Sequence, residues 1–302
     1  MIEVGRSSVQ TWECDVVGHL NSQFYVERAT EGATILLSKA GLGPRLMATR
    51  SQRLEPVDQH MRFLSEIKSW QSYSVIAGSF ETGSEEIGIY CELIADEGSR
   101  VAAAISTSYR LCDLHSGRPV SSPDAILEKL AAIKAVIPDH GLPRGIAADD
   151  PVADADMALA DALGMRTVAM AVVKPSECDH CGLLLPRFFT AHFINGITAL
   201  QRPDTPYPDG FGAIGGAAVE NRVVYRRWPR AGDALVIRSA ITFVDARRYN
   251  WVHWMFNLET GELLASNEAV AICIDMDRRM HIPPPPHFHA DLAGRANPNV
   301  RI

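Results

Sequence analysis

The stretch Glu13-Cys14-Asp15-Val16-Val17-Gly18-His19-Leu20 returns 164 residues later as Glu177-Cys178-Asp179-His180-Cys181-Gly182-Leu183-Leu184. The match runs on. Phe24 meets Phe188, Gly32 meets Gly196, Thr34 meets Thr198 and Leu36 meets Leu200, giving nine identities in the 24 positions from Glu13 to Leu36. Further on, Arg62-Phe63 lines up with Val224-Tyr225 and Tyr73-Ser74-Val75 with Leu235-Val236-Ile237 at an offset of 162; Glu97-Gly98 meets Thr260-Gly261 at 163, and Cys112-Asp113 meets Ile274-Asp275 at 162. Self-similarity at one long offset is the mark of a duplicated unit, here of roughly 115 residues.

Each copy reads alike. A short strand (Ser7 to Trp12; Thr167 to Val173) leads into the polar Glu-Cys-Asp loop and then a helix (Ser22 to Ala40; Pro186 to Gln201). Four strand-like runs follow, rich in β-branched and aromatic residues: 61–67, 72–81, 87–95 and 100–112, then 218–228, 234–244, 249–258 and 263–274. Helix and strands are segregated, which predicts an α+β class with a mainly antiparallel sheet. The helix carries Phe24, Tyr25, Ala29, Ala33, Leu36 and Leu37 in one copy and Phe188, Phe189, Phe193, Ile194 and Ile197 in the other. Apolar residues over most of a helix's circumference mean burial. Glycine at matching mid-helix positions, Gly32 and Gly196, predicts close approach of helix to sheet, since glycine there costs about 1 kcal/mol against alanine. One helix wrapped by a strongly curved antiparallel sheet satisfies these features. The expected organisation is a first unit over 1–120, a partly helical linker over 121–165 (Ala125 to Val136 after an Asp124 cap), a second unit over 166–282, and a Pro-rich tail over 283–302.

Composition bounds the partners. The 302 residues carry 29 Lys+Arg against 36 Asp+Glu, a net charge of −7, the wrong sign for neutralising a phosphate backbone, so nucleic acid is not expected. The longest apolar runs, such as Val168 to Val173, fall far short of the roughly 20 residues of a membrane span. The first residues have neither a basic start nor an apolar core of a secretory signal, and the expected location is the cytoplasm. Six cysteines are too sparse for a disulfide scaffold. Cys178 and Cys181 with His180 between them form a lone CxxC without a second ligand pair, so no metal is assigned. His281, His287 and His289 read as part of a surface tail.

The residues ECDVVGHLNSQFY resemble the Asp-x-x-Gly-His-x-Asn-x-x-x-Tyr signature of hotdog-fold acyl-CoA thioesterases of the 4-hydroxybenzoyl-CoA thioesterase type. Asp15, Gly18, His19, Asn21 and Tyr25 fall in register, between a first strand and a long apolar helix. The resemblance implies two hotdog units paired within one chain, an acyl-CoA or acyl carrier protein thioester as substrate, and no cofactor; homo-oligomers of the double chain are possible. It also implies that Asp15 is base or nucleophile, that an amide at the helix start polarises the thioester carbonyl, and that His19 and Asn21 position the reacting groups.

The residues support this chemistry on their own terms. Pro186 suits a first helical position, so its counterpart Ser22 opens the first helix and Asn21 caps it. Free amides and the positive end of the helix dipole then face the loop of Asp15 and His19, an oxyanion site beside a carboxylate. Asp and Asn are also common as mere turn and cap residues. Gly18, Ser22 and Tyr25 are the expected substrate-side neighbours, with Arg226 and Arg227 as candidate partners of coenzyme A phosphates. Glu27 and Glu31 on the helix are an alternative carboxylate. In the second copy His19 becomes Leu183, Asn21 becomes Leu185 and Ser22 becomes Pro186, so that copy is expected to complete the pocket without catalysing, unless Asp179 serves a second one. A hotdog enoyl-CoA hydratase or dehydratase, and a non-catalytic acyl-CoA-binding module, are the competing functions.

Overall fold

The computed structural model describes residues 1–82, 85–95, 100–147, 149–152, 155–201 and 214–302; the Glu97-Gly98 match lies outside the described residues. The chain divides into two compact units, Met1–Leu142 and Pro143–Ile302.

In the first unit β1 (Ile2–Ser8) is followed by a 3₁₀ turn at Thr11–Glu13, then α1 (Ser22–Ala40), α2 (Pro44–Thr49), β2 (Gln52–Phe63), β3 (Ser72–Phe80), β4 (Glu86–Ala95), β5 (Arg100–Asp113) and α3 (Asp124–Ala131). Its strands pair antiparallel in the order β1-β3-β4-β5-β2, and α1 packs against β1, β3 and β4. Helix α1 spans the expected residues because Asn21 caps it, its Oδ1 accepting the Gln23 N–H at 3.2 Å, and Gly41 ends it in the left-handed region at φ +100°. A Cβ at Gly32 would lie 3.1 Å from Val4 Cγ2 and 3.3 Å from Val75 Cγ1, the close approach that the mid-helix glycine predicted.

The second unit repeats the plan with α4 (Met157–Ala162), β6 (Arg166–Val172), a 3₁₀ turn at Pro175–Glu177, α5 (Pro186–Gln201), β7 (Ile214–Tyr225), β8 (Ala234–Val244), β9 (Tyr249–Asn257), β10 (Leu263–Asp275), β11 (Met280–Ile282) and α6 (Pro286–Gly294). The antiparallel order is β7-β10-β9-β8-β6, with β11 added on β10. At Gly196 a Cβ would stand 2.6 Å from Val168 Cγ2. Both units are thus the expected α+β hotdog arrangement.

The strand boundaries depart from expectation where polarity hides them. The first strand is Ile2–Ser8 rather than Ser7 to Trp12, because Glu13 turns the chain at Thr11–Glu13 by accepting the Gln10 N–H at 2.8 Å. Strand β2 begins at Gln52, nine residues ahead of the expected start at 61; its polar QRLEPVDQ run carries no apolar alternation.

The residues between the copies do not run free. Ile133 O accepts the Ser79 N–H at 3.0 Å, Ser79 Oγ donates to Leu130 O at 2.6 Å, and His140 Nε2 lies 2.7 Å from the Glu92 carboxylate, so residues 123–142 close over the first sheet. From Pro143 the chain joins the second unit, where Glu220 accepts the amides of Arg144 and Gly145 at 2.9 and 2.7 Å. The stretch read as a surface tail forms β11 and α6, with Phe288 and Leu292 buried, and Arg301 O accepts the Trp254 indole N–H at 2.8 Å. Its prolines mask an amphipathic helix.

Core residue His253 on β9 is wholly buried, stacked on Phe193 at 5.6 Å with Nδ1 against Ser239 Oγ. Burial pushes its imidazole down to about 3. The unfolded chain binds that proton near pH 6.5 and the folded chain does not, so between these values the unfolded state holds more protons and stability falls as pH drops. Urea midpoints measured from pH 7 to pH 4 should fall in the wild type and flatten in His253→Met. An unchanged slope in that variant would remove His253 as the cause.

Candidate active site

The site is built on a short hairpin-like loop. Asp15 N–H donates to His19 O at 3.0 Å, and Gly18 N–H donates back to Asp15 O at 3.0 Å. Gly18 takes φ +83°, the left-handed conformation that closes a turn of this kind and that glycine adopts freely. Asp15 Oδ1 accepts the Val17 N–H at 2.8 Å, which fixes the carboxylate's rotation and leaves Oδ2 facing His19 Nε2 at 3.3 Å. The other ring nitrogen, Nδ1, faces Glu66 Oε1 at 3.3 Å. His19 therefore stands between two carboxylates.

A second strip of chain holds this loop in place. Val9 N–H donates to Gln71 O and Trp70 N–H to Val9 O, at 3.0 and 2.8 Å; Leu20 N–H donates to Ile67 O at 2.8 Å; His19 and Lys68 form a bridge. Beneath the loop, Glu13 is anchored by Arg28 of α1, and Glu13 O accepts the Asn21 N–H at 2.9 Å. Tyr25 is buried edge-on to Phe63 at 5.1 Å, its hydroxyl at the Ile67 backbone, and burial raises its pKa.

Electrostatics follow from this geometry. Burial raises the Asp15 pKa, but His19 and the loop amides outweigh it and hold the carboxyl below its ordinary value. Burial likewise disfavours the His19 imidazolium, yet Asp15 and Glu66 outweigh it and raise the His19 pKa. The Asp15 contribution to stability is present above the ordinary carboxylate pKa and is lost as pH falls through the depressed value. The His19 contribution is full below the ordinary imidazole pKa and is lost as pH rises through the raised value. Between those limits the site holds an ionised carboxylate beside an imidazolium.

Of the residues expected at the site, Asp15, Gly18, His19, Asn21, Ser22 and Tyr25 lie together. The Asn21 side chain is spent on the helix cap. Arg226 binds Ser266 Oγ at 2.8 Å and Val152 O at 3.0 Å, and Arg227 donates to Arg226 O at 3.2 Å. Glu27 and Glu31 pair with Arg28 at 3.1 and 3.2 Å. Glu66 was missed, since it lies outside the signature. Its counterpart at the 162 offset is Trp228, so the loss of a carboxylate alongside the loss of histidine was the available signal.

The second loop repeats the backbone with other side chains. Val173 N–H donates to Asp233 O, Gly232 N–H to Val173 O and Leu184 N–H to Pro229 O, at 3.0, 2.9 and 2.9 Å. Asp179 Oδ1 accepts two amides, from Cys181 at 2.8 Å and Leu183 at 3.0 Å. Among the described residues, the candidate metal ligands that converge are Asp179, His180 and Cys181, within 4.8 Å of one another. Cys178 Sγ turns instead to Lys174 O at 3.4 Å.

The family model described as thioesterase-like superfamily matches residues 9–130 and 173–292. The chain belongs to that superfamily. This thioesterase-like chain is accordingly a thioester hydrolase with the family unit present twice. Solved structures share its fold: an acyl-ACP thioesterase from Bacteroides thetaiotaomicron is 12% identical with a TM-score of 0.63, covering 88% of this chain and 96% of that one. The 12:0-ACP thioesterase from Umbellularia californica is 10% identical with a TM-score of 0.64, over 88% and 92%. A protein assigned as an oleoyl thioesterase from Lactobacillus plantarum is 11% identical with a TM-score of 0.67, over 93% and 96%. No curated protein matches the thioesterase-like chain by sequence. No helix among its described residues is long and apolar enough to cross a membrane.

Proposed function

We propose that the chain hydrolyses an acyl-CoA thioester to the free acid and coenzyme A at the Asp15 loop. The observation that carries the reading is the position of His19 between Asp15 and Glu66. An imidazole that faces a carboxylate at each nitrogen is favoured in its protonated form, and once protonated it has no lone pair to offer a water. The basic group is then Asp15, whose ionised form the imidazolium preserves. Asp15 Oδ2 either takes the proton of an attacking water or attacks the carbonyl carbon itself. The developing oxyanion is met at the start of α1: the first amides of a helix lack partners within it, Asn21 already satisfies Gln23 and Phe24, and Ser22 is the next donor. His19⁺ offsets the negative charge that accumulates as the tetrahedral species forms.

The second copy is read as non-catalytic. Asp179 has the loop amides that Asp15 has but not its side-chain partners: Leu183 and Trp228 stand where His19 and Glu66 would, and Pro186, without an N–H, stands where Ser22 would. Asp179→Asn should therefore lower turnover less than about twofold, because a turn residue off the reaction path leaves transition-state contacts unchanged. A loss equal to that of the Asp15 variant would mean two working sites. Thiol release from a panel of acyl-CoA and acyl carrier protein thioesters tests the activity itself; no release from any member would refute it. The free cysteines fit a reducing compartment, and the cytoplasm is the proposed location.

A further inference from the structure

Two indoles stand in solvent on the paired strips that build the site: Trp12 is 77% exposed and Trp70 is 76% exposed, with Val16 wholly exposed on the Asp15 loop between them in sequence. Thr11 Oγ1 and Ser69 Oγ, their chain neighbours, meet at 3.1 Å. Trp70 sits at φ +70°, and the residue in its place in the second copy, Gly232, sits at φ +99°. Glycine takes that conformation freely, whereas a bulky aromatic takes it at a cost. The first copy thus keeps a tryptophan where the backbone favours glycine and where no protein contact buries it. An exposed, conformationally disfavoured aromatic is a sign of function rather than of packing.

The comparison between copies sharpens this. The backbone bonds of Val9 with Gln71, Trp70 with Val9 and Leu20 with Ile67 recur as Val173 with Asp233, Gly232 with Val173 and Leu184 with Pro229, yet Trp12, Val16 and Trp70 are replaced by Ser176, His180 and Gly232. The two indoles are present only in the copy that has His19 and Glu66; the second copy exposes the aliphatic Met170 and Val172 on β6 instead. A surface serving general solubility or assembly would have no reason to follow the reactive side chains.

We propose that Trp70 and Trp12 are substrate-contact residues, an apolar rim at the mouth of the Asp15 loop that grips the methylene-rich chain flanking the thioester. This rests on the hydrolytic reading above. Lys68 is bridged to His19 and Trp70 is two residues further, so its Cα stands at most about 7 Å from that of Lys68. The indole therefore reaches groups close to the reacting carbon rather than the distant nucleotide end of coenzyme A. Two chains have this chemistry, the acyl group on one side of the sulfur ester and the pantetheine arm on the other.

Trp70→Gly restores the residue that the second copy uses, so the fold should be kept with an unchanged or higher thermal midpoint. Trp12→Ser does the same at the other indole. With acyl-CoAs of increasing chain length, kcat/KM should fall about tenfold or more in each variant, carried by KM, as for loss of an apolar contact of more than one methylene. A loss that grows with acyl length identifies the acyl chain; one that disappears when the same acyl groups are offered on N-acetylcysteamine identifies the pantetheine arm. Values within about twofold of the wild type on every substrate overturn the rim. Should Trp70→Gly not fold, Trp70→Asn, which also tolerates the left-handed region, is read by the same criteria. Binding decides the matter apart from turnover: an acyl-CoA added to Asp15→Asn protein should quench its tryptophan fluorescence, and equal affinity after adding Trp70→Gly would defeat the rim even in a working hydrolase.

Discussion

Replacing Asp15 with asparagine should lower thiol release at saturating acyl-CoA at least ~100-fold, the typical contribution of a positioned base or nucleophile. Asparagine is nearly isosteric, and its Oδ1 can still accept the Val17 amide, so the loop keeps its shape. What disappears is the charge that Oδ2 presents 3.3 Å from His19. Substrate affinity should change little, which places the loss in kcat. The wild-type rate should persist to a pH below the ordinary carboxylate range before its acid limb, because His19 and the loop amides hold Asp15 ionised. Full turnover by purified Asp15→Asn protein would move the reaction to another group, with Glu66 and the helix carboxylates Glu27 and Glu31 the next to test.

The largest effect on stability is expected from Arg28→Ala. The Arg28 guanidinium meets Glu13, whose side chain is only 7% exposed, as well as Glu27 and Glu31. Removing one partner of a buried pair leaves an uncompensated charge at about 3–5 kcal/mol. In a unit of this size that corresponds to a thermal midpoint lower by roughly 6–20 °C. Glu13 also sets the loop, through its carboxylate on Gln10 and its carbonyl on Asn21. Activity should fall with stability, and Arg28→Lys should recover part of both. A midpoint within a degree or two of the wild type would show that Glu13 takes up a proton or another partner at no cost.

What the sequence revealed divides along a physical line. Helices α1 and α5 were legible to the residue because Asn21 and Pro186 mark their starts and their apolar faces are wide. Strands β3 to β5 and β8 to β10 were legible because they are largely buried and correspondingly rich in β-branched and aromatic residues. The start of β2 and helix α6 were not, because one is polar along its outer half and the other hides behind four consecutive prolines. At the site, Asp15, His19 and the cap were legible as a local cluster in sequence. Glu66 was not, since it is 47 residues from His19 in the chain and only the connection from β2 to β3 brings it there.

The hydrogen bonds shared by the two loops carry a consequence for engineering. Val173 with Asp233, Gly232 with Val173 and Leu184 with Pro229 hold the second loop in the form of the first, so it is an empty socket rather than a ruin. Leu183, Leu185, Trp228 and Pro186, which has no N–H to donate, are the substitutions that separate it from the arrangement of His19, Asn21, Glu66 and Ser22. A duplicated chain that preserves its mould after discarding its tools offers a place to install a second chemistry while the first keeps working.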